Sequence, residues 1–113
     1  MSTITNIRTL ECGERYFARN GYQLLDRLAE DSQFDLVLRD SSNDDIVFAA
    51  IERCEDAIAD PQVSRETAER TAISYFSEHF FGEARVRFDV LAVLPLADDR
   101  AFFRHHLGIL AKD

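Results

Sequence analysis

Residues 47–54 read VFAAIERC: Val47 to Ile51 are five consecutive apolar residues, and Glu52 and Arg53 follow at once. A short run that is apolar on both alternating faces has the pattern of a strand buried from two sides. With Ile46 in front of it, a central strand is expected over 46–53. The charge at its end has two meanings. A strand that delivers a carboxylate builds a metal site, or it marks where the chain meets water.

The segments before it set the sheet. DSSNDD, Asp40 to Asp45, is a turn. Ahead of that turn Phe34–Arg39 alternates, with Phe34, Leu36 and Leu38 on one face and Asp35, Val37 and Arg39 on the other. LAEDSQ, residues 28–33, is polar and turn-like, and a short strand is expected at Tyr22–Asp26. Asn20-Gly21 stops a helix predicted over 4–20, with Thr3 or Thr5 as its cap. On that helix Leu10, Gly13 and Phe17 share one face, with Ile7 at its edge, while Arg8, Arg15 and Arg19 fall opposite, near Cys12. Glycine weakens a helix relative to alanine, so Gly13 signals a close packing contact.

Beyond the central strand, EDAIADPQV (55–63) is a loop containing Pro61. Ser64 caps a second helix that carries Glu66 in its first turn and Ala68, Ala72, Tyr75, Phe76, His79 and Phe80 at helical spacing, with Gly82 as its end. Arg85–Pro95 is a strong strand and Ala101–Leu110 a further one. Short connections make the first three strands an antiparallel meander, and the second helix is long enough for a crossover to a parallel neighbour. The expected fold is therefore α/β: a mixed sheet of four or five strands flanked by helices, in the order α-β-β-β-α-β-β, as one domain over residues 1–113.

Composition narrows the class. The chain has 113 residues, 46% hydrophobic and 30% charged, which suits one globular domain with a real core. MSTITNIRTLECG carries no apolar run followed by a small-residue cleavage site, and nothing approaches a membrane span, so the default expectation is a cytoplasmic protein without a membrane partner. Cys12 and Cys54 form neither a disulfide framework nor a zinc motif. The net charge of −8 repels nucleic acid over most of the surface. Of thirteen cationic residues only Lys112, beside the C-terminus, is a lysine.

Taken in order, ERYFARNGYQLL, FDLVLRD, VFAAIERC, TAISYFSEHF and VRFDVLAV resemble the YraN-like family across nearly the whole chain. VRFDVLAV is the nearest match, and the correspondence rests on the order and spacing of all five segments. The resemblance implies a restriction-endonuclease-like fold. In nucleases of that fold a second-strand aspartate and a third-strand glutamate hold Mg²⁺, and a lysine two residues after the glutamate helps position or activate water. The spacing of two is required because only i and i+2 share a strand face.

Carried over residue by residue, Asp35 matches the aspartate. Gln33 stands where relatives have a preceding glutamate, Ala50 at the glutamate of Glu-x-Lys, and Glu52 at its lysine. Leu10 or Glu11 falls at the glutamate expected on the first helix, and Ser64 and Arg65 near the family's crossover lysine. No strand lysine exists anywhere in the chain, and arginine stays protonated and makes a poor base.

The favoured reading is a degenerate, catalytically silent member kept as a nucleic-acid-binding or protein-interaction module, with no catalytic residue and no cofactor. The alternative is a metal-dependent endonuclease in which Asp35 and Glu52 share Mg²⁺ from rearranged positions. Binding without cleavage would use Arg8, Arg15 and Arg19, set against the plainer picture of a solvated helix face balanced by Glu11 and Glu14. A buried Asp35 needs a partner, for which Arg53, Arg87 and a backbone donor all qualify. Arg87 is also the natural partner of Asp89. His105 and His106 lie on opposite strand faces and have surface or packing roles.

Overall fold

The structure is a computed structural model that describes residues 3–29, 32–53, 64–79, 82–96 and 100–108, with the side chains of residues 3–7 left out. Expectations about the Thr3 or Thr5 cap, Ile7, Cys54, the 55–63 loop, Phe80 and Lys112 lie outside the described residues.

Helix α1 (Thr3–Arg19) leads into β1 (Tyr22–Arg27), β2 (Leu36–Asp40) and β3 (Ile46–Arg53), then α2 (Arg65–Phe76), β4 (Val86–Pro95) and β5 (Ala101–His106). The five strands form one sheet in the order β1-β2-β3-β4-β5. β1, β2 and β3 are antiparallel neighbours, β3 pairs with β4 in parallel, and β5 returns antiparallel to β4. The mixed sheet and its crossover are those expected from the connection lengths.

Alternation along the strands divides the core into two layers. Phe17 of α1 packs with Leu36, Leu38, Val47, Ala49, Leu91 and Val93. On the other face Ala68, Ala72 and Tyr75 of α2 pack with Val37, Ile46, Phe48, Ala50 and Val90. β3 contributes to both layers because it is the middle strand and has no solvent face, which is why its sequence does not alternate. Each large side chain buried this way, Phe17 and Phe48 among them, contributes about 1.5–3 kcal/mol relative to exposure.

Local chemistry fixes the ends of the elements. Gly13 is where α1 meets the sheet: a Cβ there would collide with the Ile51 side chain, so the missing side chain permits the approach. The helix stops at Asn20, whose side-chain amide donates to the Tyr16 carbonyl, and Gly21 takes φ 85°. In the β2–β3 turn, Asp40 Oδ1 accepts from the Ser42 N–H at 3.0 Å and the Asn43 side chain accepts from the Asp45 N–H at 2.9 Å. Asp44 supplies the turn's positive φ, 63°. Ser64 Oγ caps α2 by accepting the Thr67 N–H.

Three expectations need correction. Phe34 does not share a face with Leu36 and Leu38 but joins the α2 layer, because β2 starts only at Leu36 and the chain before it is not alternating. Helix α2 ends at Phe76 rather than at Gly82, with Ser77 as its C-cap, and His79 lies beyond it, stacked on Tyr75 with ring centroids 4.1 Å apart. β5 ends at His106, after which the Gly108 N–H is drawn to Asp89.

Candidate functional site

Asp35, Ala50 and Glu52 lie at the end of the sheet where β3 finishes and β2 begins. The β2–β3 ladder closes at Leu36 opposite Ala49. Past that point the Ile51 N–H still faces the β2 side, and Asp35 Oδ2 accepts it at 2.7 Å. The Asp35 N–H donates to the Ala49 carbonyl at 2.8 Å. The side chain thus extends a ladder that the backbone has left. Of the three partners open to Asp35 in the sequence, the backbone donor is the one used. Burial pushes the Asp35 carboxyl above its ordinary range, the Ile51 N–H opposes this, and the negative charge of Glu52 adds to the rise.

The other positions differ in kind. Ala50 is buried in the α2 layer and brings no oxygen ligand. Glu52 is exposed, on the same strand face as Ala50. Gln33 Oε1 is buried and has no hydrogen-bond partner among the described residues. Among the described residues no three His, Cys, Asp or Glu side chains gather as metal ligands.

The most heavily bonded polar group is elsewhere, on the α1 face. Asp89 of β4 is fully buried. It accepts from Arg87 Nε and Nη2, both at 2.9 Å, from His105 Nε2 at 2.7 Å and from the Gly108 N–H at 3.0 Å. Arg87 also donates to Asp40 Oδ2 at 3.0 Å and to the Tyr22 hydroxyl at 2.7 Å. His105 Nδ1 faces the Tyr16 hydroxyl at 3.4 Å. Burial alone would raise the Asp89 carboxyl, yet the bonds from His105, Arg87 and Gly108 outweigh it and hold the group below the usual range. Asp40 is lowered against burial by Ser42 and Arg87, and Arg87 is raised well above its ordinary value by its carboxylates.

Chemically this is a tie. It joins β1, β2, β4, β5 and α1 through one arginine and one aspartate, and no substrate reaches an Asp89 with no exposed surface. The Arg87–Asp89 pair matches its sequence signal, two residues apart on one strand. His105 was expected to have only a surface or packing role, and it is instead a hydrogen-bonded member of the network.

A smaller group sits at the β1 edge of the α2 layer. The Tyr75 hydroxyl donates to Asp26 Oδ2 at 3.1 Å, and burial together with that carboxylate pushes the Tyr75 phenol up to about 12. His79 Nδ1 meets the Tyr75 carbonyl at 3.0 Å.

The arginines expected to form one surface are brought together only in part. Arg8 and Arg15 line a cleft of about 570 Å³, in which Arg53 from the end of β3 and Arg100 from the β4–β5 connection join them. Arg19 is exposed but does not line it. Glu14, which was to balance the stripe, is held by Arg27 of β1 in a two-pronged pair at 2.7 and 2.9 Å. The Arg15 guanidinium lies 3.5 Å from the Cys12 sulfur. Arg53 and Arg100 lie far from Arg8 in the chain, so helical spacing gave no hint of them. No helix among the described residues is long and apolar enough to cross a membrane. No family model and no curated protein matches the chain.

Proposed function

We propose that this protein is a binding module of restriction-endonuclease-like, YraN-like descent that no longer cleaves. The observation that carries the reading is the state of the strand ends. The one matching acidic position, Asp35, uses a carboxylate oxygen to complete the β3 ladder at Ile51, and the neighbouring ligand position is a buried alanine, Ala50. With Lys112 the only lysine, no strand amine is available to position or activate water. What survives is an α/β frame with a concave arginine surface, suited to an anionic partner such as nucleic acid.

A second reading keeps catalysis, and one feature favours it: the charge of Glu52 adds to the rise of the Asp35 carboxyl, so the two share one electrostatic neighbourhood. Two neighbouring carboxylates are a sufficient protein contribution to a Mg²⁺ site completed by water and phosphate oxygens. A nuclease assay decides between the two. Single- and double-stranded DNA and RNA are incubated with Mg²⁺ or Mn²⁺, beside an Asp35→Ala variant. The binding-module reading expects no metal-dependent cleavage above a blank. Cleavage that disappears in Asp35→Ala would overturn it.

A further inference from the structure

The arginine cleft lies on the α1 face, across the sheet from Ala50 and Glu52. Its four cations come from three places in the fold: Arg8 and Arg15 from α1, Arg53 from β3 and Arg100 from the β4–β5 connection. Among the described residues Glu11 is the one carboxylate in its lining. A chain of net charge −8 has thus collected a third of its arginines around one concavity. Arg8 and Arg100 form no ion pair among the described residues. Its lining also includes the apolar Val93, Pro95, Leu96 and Ala101, and Leu96 is 48% exposed.

We propose that this cleft binds the phosphodiester backbone of single-stranded nucleic acid. Guanidinium groups pair with phosphate through two parallel N–H donors, which a lysine cannot do. About 570 Å³ is the size of a small-ligand site, so it admits a nucleotide segment of a strand rather than the body of a helix. Duplex DNA also carries one charge per about 1.7 Å, twice the density of one strand, so the acidic remainder of the surface repels it more. Among the described residues no aromatic side chain lines the cleft, so stacking contributes little there and recognition rests on phosphate without sequence preference. The inference rests on the binding-module reading but not on the loss of catalysis.

The test is fluorescence anisotropy with a labelled thymidine oligonucleotide and a duplex of the same length, titrated over a series of salt concentrations without divalent metal. The single strand should bind more tightly than the duplex, and the slope of log K against log salt should be about −2, as for the three phosphates that Arg8, Arg15 and Arg100 would hold. Replacing Arg8, Arg15 and Arg100 together by alanine should weaken binding by at least about tenfold and flatten that slope. Arg19→Ala, on the same helix outside the cleft, should change affinity by less than about twofold. Thermal unfolding of each variant separates lost binding from lost fold. Duplex binding as tight as single-strand binding overturns the choice of ligand. Single-strand binding that survives the triple substitution, or that falls equally with Arg19→Ala, overturns the cleft and leaves the module reading standing. No binding of any nucleic acid at low salt removes both the cleft assignment and nucleic acid as the partner, whatever the nuclease assay shows.

Discussion

Asp35 and Asp89 are both carboxylates on the sheet, both at least half withdrawn from water, and their pKa values move in opposite directions. Asp89 is fully buried yet lowered, because Arg87, His105 and the Gly108 N–H bond to it. Asp35 is less buried yet raised, because burial and the like charge of Glu52 outweigh the single backbone N–H, from Ile51, that opposes them. Partners, not depth, decide whether a buried carboxylate stabilises a fold. The difference also separates tasks. The Asp89 group is closed and holds strands together. The Asp35 group holds a strand end, where its side chain accepts the Ile51 N–H.

The largest test of this contrast is Asp89→Ala. It leaves Arg87 and His105 buried without their main acceptor, and unfolding in urea should show a loss of about 3–5 kcal/mol. A loss below about 1 kcal/mol would mean that the network contributes little. Asp35→Ala comes next. It removes the acceptor of one backbone N–H, and the expected loss is about 1–3 kcal/mol.

Acid should act on the two groups with opposite sign. A carboxylate lowered in the folded state stabilises above its unfolded pKa of about 3.9, and that contribution disappears as pH falls through the folded value. Asp89 and Asp40 are of this kind, so stability should drop on acidification below about pH 4, and the drop should be shallower in Asp89→Asn. Asp35 is raised, so its contribution is full below about pH 3.9 and is lost as pH rises through the folded value. The smallest effect therefore belongs to Asp35→Asn, which keeps an acceptor for Ile51 and removes the charge. At pH 7 its stability should equal or exceed that of the parent, within about 1 kcal/mol. A clear loss in urea unfolding would show that the Asp35 charge is itself stabilising, and the contrast with Asp89 would fail.

How legible each feature was depends on how far its partners lie along the chain. β3 was read to the residue at 46–53, and α1 and β4 to within one residue at each end, because their patterns are long and self-contained. Phe34 was assigned to the wrong face, since alternation cannot reveal that β2 starts two residues later. The end of α2 is overrun in the sequence because Tyr75, Phe76 and His79 fit helical spacing, and a last turn beyond Phe76 still brings the His79 N–H to the Tyr75 carbonyl at 3.1 Å. Arg87 and Asp89 were readable as neighbours on one strand, whereas Tyr22, Asp40 and His105 reach them from three other strands. The arginine cleft was half visible for the same reason: Arg8 and Arg15 share a helix, while Arg53 and Arg100 arrive through the sheet.

The parallel pairing of β3 with β4 also bears on how the protein folds. Every residue from Ile46 to Arg53 pairs with one forty positions further along the chain. The chain must close that long loop before any of these contacts forms, whereas β1, β2 and β3 meet through short turns. Bringing β4 to β3 is thus the predicted rate-limiting step, with β5 adding afterwards. In stopped-flow kinetics Leu91→Ala should act mainly by slowing refolding, and Phe103→Ala mainly by speeding unfolding. If both variants divide their effect between the two rates in the same proportion, this order of assembly is wrong.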